Sequence, residues 1–321
     1  MKKKTVAWLM IATFLVLAGC ILFGGMMMAL NWDFGKLSTV KYETNIYELT
    51  DTVTSIQIQT TTAKTVFLPA DDGVCKVVCY EAENEYHRVY VEDGSLTVRL
   101  VNEKKWYDYI GLHFGAPKVT VYLPSGLYET LSIDIRTGYV DIPKDFQFGT
   151  MDISGGTGDV TVRASTSQRM EIEVSTGNIT LSDITTGSMD LKTSTGRITV
   201  SNVACEGDVM AQVSTGKITL SDVSCKNLTT KGNTGNLMLN NLIASEKITV
   251  HRTTGDVKLE ACDAGEIYIE TDTGNVTGTL LSDKIFLYKT STGKVDLPQT
   301  TNGGRCEIHT STGDICLKII H

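Results

Sequence analysis

The segment Ser175-Thr176-Gly177-Asn178-Ile179-Thr180-Leu181 belongs to a series, and the series constrains the fold more than any other feature of the chain. Thr-Gly recurs in register at Gly138, Gly158, Gly177, Gly196, Gly216, Gly235, Gly255, Gly274, Gly293 and Gly313, always 19 or 20 residues apart. A fixed period this short marks a repeat architecture, in which one unit must stack on the next to bury anything. Two residues after each Gly stands an apolar β-former (Val140, Val160, Ile179, Ile198, Ile218, Leu237, Val257, Val276, Val295, Ile315). Four after it the residue is again apolar, from Ile142 through Leu317, with Gly278 as the exception. Seven and five before it lie two more such columns, Leu131 to Cys306 and Ile133 to Ile308. Alternation with a period of two is the signature of a strand with one buried face. A further apolar column, Ile184, Val203, Val223, Leu242, Cys262 and Leu281, falls in the connection between the strands.

Each repeat therefore reads strand, turn, strand, turn, and the ten Gly residues are structural turn positions where φ > 0 costs nothing. The Thr before each Gly suits extended backbone, and its hydroxyl is placed to bond along a ladder of stacked Thr. The expected fold is all-β: a β-solenoid of about ten coils, roughly 50 Å long at ~4.8 Å per coil. Parallel coils would wind as a right-handed β-helix.

The solenoid stands behind a membrane signal. Met1-Lys2-Lys3-Lys4 precedes an uncharged run from Thr5 to Leu30, and about 20 apolar residues span a bilayer. The lysines place the N-terminus in the cytoplasm and the main domain outside, in a single-pass cell-membrane protein. Leu17-Ala18-Gly19-Cys20 also fits a lipobox, which would make Cys20 a lipidated N-terminus. The apolar run continues past it, so the uncleaved anchor is preferred. The divisions read from the sequence are 1–4 cytoplasmic, 5–30 transmembrane, 31–52 linker, 53–135 an N-terminal β region that caps the stack, and 136–321 the repeats.

In the cap region Thr61-Thr62-Ala63 resembles a degenerate Ser-Thr-Gly, and Glu92-Asp93-Gly94 separates two alternating runs as a hairpin turn. Residues 102–114 hold the aromatic cluster Trp106, Tyr107, Tyr109 and Phe114, read as a hydrophobic plug over the open end or as an interaction loop. At the other end Ile315 to His321 has no capping element, so the final coil is expected to be open and available for self-association.

The net charge is −8 and no basic patch appears, which argues against nucleic acid as a partner. Of eight Cys, Cys205 and Cys225 fall in one column of adjacent coils and are candidates for a disulfide, or for two small residues filling the same turn. No Cys/His spacing resembles a zinc site, and no cofactor, metal or catalytic residue is assigned. Outward residues four before the Gly (Glu173, Lys192, Gln212, Lys231, His251, Glu270, Lys289, His309) are mixed in sign, with opposite charges in adjacent coils at Glu173/Lys192 and Glu270/Lys289. Asp152, Glu171 and Asp190 form one acidic column, read as surface charge or as the carboxylates of a carbohydrate-active solenoid enzyme.

The Ser-Thr-Gly repeats, the Val-Tyr-Leu-Pro strand at Val121 to Pro124 and Lys-Trp-Tyr-Asp at Lys105 to Asp108, behind one N-terminal span, resemble a bacterial putative-adhesin family of unknown function common in Firmicutes. The resemblance covers residue 50 to the end and implies a solenoid-like extracytoplasmic domain in the cell envelope. It implies no catalytic residues. The sequence thus points to a non-enzymatic, membrane-anchored binding protein for an unidentified envelope or surface macromolecule. The alternatives are an envelope-stress or regulatory accessory acting on a membrane partner through the Trp106 loop, and the solenoid enzyme.

Overall fold

The computed structural model describes residues 3–33, 40–109 and 115–320. Met189, Leu191, Ile198, Val200 and Val203 show how one coil is made: alternate residues on both sides of Thr195-Gly196 turn inward and are buried. The strand Ser188–Cys205 pairs in parallel register with Val209–Thr234, Met189 on Val209, Gly196 on Gly216, Ile198 on Ile218 and Val203 on Val223. The same parallel, like-on-like register runs from coil to coil and gives one 22-stranded solenoid sheet around a continuous apolar core.

Gly196 shows why the turn residue has no side chain. Its φ is 151°, and a Cβ there would lie 1.9 Å from the carbonyl oxygen of Gly177 in the coil below. The turn backbones thus approach closer than any side chain allows. The Thr column contributes differently from the sequence expectation. Its carbonyls accept from the Gly N–H of the neighbouring coil, as in Gly177 N to Thr195 O at 2.9 Å. Its side chains at Thr176 and Thr195 are exposed. Among the described residues the hydroxyl-to-hydroxyl contact across coils is instead Thr166 with Thr186, 2.7 Å, both buried.

A second ladder went unread in the sequence. Asp183, Asn202, Asp222 and Asn241, six after their Gly, hold φ of 59°, 53°, 54° and 47°. Asx residues tolerate this left-handed region. Here Asn202 Nδ2 donates to Asp183 Oδ1 at 2.7 Å and Asn241 Nδ2 to Asp222 Oδ1 at 2.8 Å. Gly278, the exception in its column, also has a cause. Its φ is 142° and a Cβ would come 1.7 Å from Leu259 O. The register slips there, so that Leu280 pairs with Cys262 and is buried while Leu281 is exposed, contrary to the expected column.

The last coils are out of sequence order. Gly304–Thr312 pairs with both Val257–Thr273 and Lys284–Thr292, and Ile315–Ile319 with both Val276–Leu280 and Val295–Asp296. The repeat of Gly313 therefore lies between those of Gly274 and Gly293. The open end is formed by Lys284–Thr292, not by the C-terminal segment, and Ile285, Leu287 and Tyr288 are exposed on it. The expected Glu270/Lys289 neighbours are separated by His309, which stacks on both.

At the other end Ser55–Thr60 and Lys64–Pro69 stack beneath the first regular coil, with Thr137 N bonded to Thr61 O. Ser95–Asn102 and Lys118–Leu123 extend the stack one coil further. Antiparallel strands then close it: Cys75–Ala82 pairs with Tyr42–Leu49 and with Lys118–Leu123. Glu85–Glu92 forms a hairpin with Ser95–Asn102 through Asp93 and Gly94, both at positive φ. Before the cap runs the helix Lys3–Ala29, long and apolar enough to cross a membrane, with most of its apolar side chains exposed and Met27 buried near its C-terminal end.

Candidate functional site

The outward face of the solenoid gathers its aromatic rings where the last coils interleave. Tyr268 stands six residues before Gly274, on a strand whose alternate side chains face solvent. Its ring lies 5.6 Å from His251 in the coil before and 5.9 Å from His309 in the intercalated coil after, centroid to centroid. Glu270 Oε2 accepts from the Tyr268 hydroxyl at 3.2 Å and lies 3.1 Å from His251 Nδ1. Glu307 Oε1 lies 2.9 Å from His309 Nε2. Partial burial, then the Glu270 charge and hydrogen bond, then Glu307, push the Tyr268 hydroxyl pKa up. The result is a strip of three rings along the rod, flanked by carboxylates.

Beside it is a cleft of about 390 Å³, lined among others by Gln212, Lys231, Asn233, His251, Arg252 and Glu270. Its floor holds Arg252, only 4% exposed. Nε, Nη1 and Nη2 of Arg252 have no hydrogen-bond partner among the described residues, nor do the buried hydroxyls of Thr230 and Thr271. Burial pushes the guanidinium pKa down to about 10. Gly232 makes its space: a Cβ there would lie 1.9 Å from Arg252 Nη1.

The sequence reading had placed His251, Glu270 and His309 in one outward column. It missed Tyr268, which becomes a neighbour of His309 only through the changed coil order. The acidic column is assembled, Asp152 on Glu171 on Asp190. Arg169 pairs with Glu171, and Lys192 with the adjacent Glu173 at 2.7 Å, so its carboxylates stand among cations. Cys205 and Cys225 are free thiols. They follow the paired Ala204 and Ser224 of adjacent coils, and both are buried. Trp106 and Tyr109 sit on the 3₁₀ turn Trp106–Tyr109 and are strongly exposed, so they do not plug the end, which the antiparallel strands close. Phe114 and the Tyr107 side chain lie outside the described residues. The sequence also missed a buried polar group in the cap, Cys79, Glu81 and His87.

Fold and helix together define a parallel β-solenoid behind a single membrane-length helix, with a polar, ring-bearing outer face. The chain belongs to the Toastrack DUF4097 family, which it matches over residues 53–212 and 207–320. No curated protein matches it. Among solved structures it is similar to a putative adhesin from Bacteroides fragilis, 16% identical over 87% of this chain and 97% of that one, TM-score 0.43. It is also similar to a putative lipid binding protein from Parabacteroides distasonis, 14% identical over 88% and 98%, TM-score 0.45. A putative adhesin from Parabacteroides merdae is 12% identical over 86% and 97%, TM-score 0.45.

Proposed function

We propose that this protein is a non-catalytic binding module of the bacterial cell envelope, held at the outer face of the cell membrane by its N-terminal helix. Lys2, Lys3 and Lys4 support an N-terminus in the cytoplasm, because positive charge is retained on that side. The observation that carries the binding role is the His251–Tyr268–His309 strip with Glu270 and Glu307 beside it. Exposed rings supply apolar area at little entropy cost, and adjacent carboxylates accept from hydroxyl or amide donors. Repetition along the rod suits an extended polymer rather than a small molecule.

The test is retention of the full-length protein, in detergent, on purified cell-wall polymers. Retention is expected, and Tyr268→Ala should lower it about tenfold or more, as for an aromatic anchor. Equal retention of the variant removes the strip from the binding role. A second reading rests on the exposed Trp106 and Tyr109: contact with a membrane protein through the cap-end loop. Capture of such a partner that is lost on deleting residues 102–114, with no polymer retained, supports that reading instead.

A further inference from the structure

The cap buries two ionisable groups and a thiol that the binding face does not use. Cys79 and Glu81 lie on the inward side of Cys75–Ala82, and His87 follows in Glu85–Glu92. Cys79 is fully buried, and Glu81 and His87 are each 1% exposed. One donor atom from each lies within 4.8 Å of the other two, the one such trio among the described residues. Cys79 belongs to the continuous apolar core, with Val77 buried on the same strand. Buried ionisable groups are unfavourable unless they are paired or coordinate a metal.

We propose that Cys79, Glu81 and His87 form a binding site for a divalent transition metal of the zinc type. Thiolate, imidazole and carboxylate are the donors such an ion prefers, and three protein ligands leave a fourth position to water. The outer partners are already placed. Asn45 Nδ2 donates to Glu81 Oε1 at 2.8 Å, which leaves Oε2 facing His87 Nδ1 at 2.6 Å. His87 Nε2 lies 2.9 Å from Thr60 Oγ1, and the His87 backbone N–H donates to Glu81 Oε2 at 2.7 Å. A hydrogen-bonded second nitrogen is what fixes the tautomer of a ligating imidazole.

With ligand bonds of about 2.0–2.3 Å, the Nδ1–Oε2 contact needs to open by under ~1 Å to admit the ion. Ligation through Nδ1 leaves the His87 ring proton on Nε2, from which Thr60 Oγ1 would accept a hydrogen bond. The Cys79 thiol releases its proton to solvent as the sulfur–metal bond forms.

The experiment uses the full-length protein in detergent, stripped of metal and titrated with Co²⁺ and then Zn²⁺. A thiolate-to-cobalt charge-transfer band saturating at one ion per chain, displaced by Zn²⁺, is expected. Cys79→Ser should abolish the band while the far-ultraviolet circular dichroism stays that of a β protein. Thr60→Val, which removes only an outer partner, should weaken Zn²⁺ binding about 10–100-fold. Absence of the band from folded wild-type protein overturns the proposal, as does a band that persists in Cys79→Ser. If Cys79→Ser fails to fold, Thr60→Val decides: unchanged affinity places the metal elsewhere. None of these readouts depends on the polymer-binding role.

Discussion

The backbone N–H of Asp314 donates to Asn275 Oδ1 at 2.8 Å across 39 residues of sequence. The side chain of Asp314 in turn accepts from Lys294 N, also at 2.8 Å. The final repeat is thus held between the two that precede it. Each of these turn-to-turn bonds is of the kind that links sequential coils elsewhere, as in Asn178 N to Asp159 Oδ1. Asn or Asp recurs at this turn position in Asp159, Asn178, Asn236, Asp256, Asn275 and Asp314, so the same bond can join coils that are not consecutive, and the order is left to the inner packing and the connections.

That order is directly testable. Paired cysteines at Asn275 and Asp314, in a background lacking Cys20 and Cys316, should be joined efficiently by a short bifunctional thiol reagent. The pair at Asn275 and Lys294 should not, because a whole coil separates them. Efficient linkage of the second pair alone would show that the coils stack in sequence order.

Gly196→Ala should destabilise the protein by about 2 kcal/mol or more, since it adds φ strain to an impossible contact. The contact is the 1.9 Å approach to Gly177 O. Gly126→Ala is the control, as a Cβ there meets nothing within 4 Å, and its effect should stay within about 0.5 kcal/mol. Denaturant midpoints of the two variants separate the outcomes.

Arg252→Met should stabilise the protein, by about 1–4 kcal/mol on the scale of buried charges replaced by apolar groups. The folded-state pKa lies near 10, below the ordinary 12.5. The unfolded chain therefore holds the proton more tightly. Wild-type stability should rise as pH climbs through about 10, and the variant should lack that rise. A lower melting midpoint for Arg252→Met at neutral pH would show that the guanidinium has a stabilising partner.

Lys284 presents the opposite case. Its side chain is 3% exposed, and its Nζ lies 2.6 Å from Asp263 Oδ1. Burial alone would raise the Asp263 pKa, but the hydrogen bonds from Lys284 and Ser282, the Lys284 charge and the Ala264 N–H bring it below 3.8. This stabilisation is present above 3.8 and is lost as pH falls through the lower folded-state value. Asp263→Asn should cost about 3–5 kcal/mol by leaving the ammonium buried without a counter-charge. Thermal melts of Asp263→Asn and Lys284→Met distinguish this from simple loss of packing, since the second variant leaves no uncompensated charge.

Much of this architecture is legible in the sequence because the repeat carries its own alignment. The Gly column fixes the turn, and alternation around it fixes which residues face inward, as Ile198 and Val200 show. The coil order at the C-terminus is not legible. Gly293 and Gly313 keep the same interval whichever stacks on Gly274, so periodicity is silent about it. The Pro298 to Gly304 connection and the polar Thr300 seven after Gly293, where the repeats from Gly177 to Gly274 carry an apolar residue, are the visible traces of the change. The ring strip was hidden for the same reason, because Tyr268 meets His309 only across that inversion. In the cap, Cys79 and Glu81 share a face by alternation, but His87 joins them only through the tight turn at Glu83 and Asn84 that pairs Ala82 with Glu85, which no periodicity reports.

The thiols give a last prediction. Cys75, Cys79, Cys205, Cys225, Cys262 and Cys306 are free and buried, whereas Cys20 is exposed and Cys316 partly so. Burial pushes the pKa of Cys75 to about 11 and of Cys225 to about 12, so almost no thiolate is present to react at neutral pH. Native protein under non-reducing conditions should therefore take up maleimide quickly at Cys316, the partly exposed thiol outside the helix that carries Cys20. After denaturation without reductant, Cys205 and Cys225 should also be labelled, as read by peptide mass. Their failure to label would mean that the pair is oxidised.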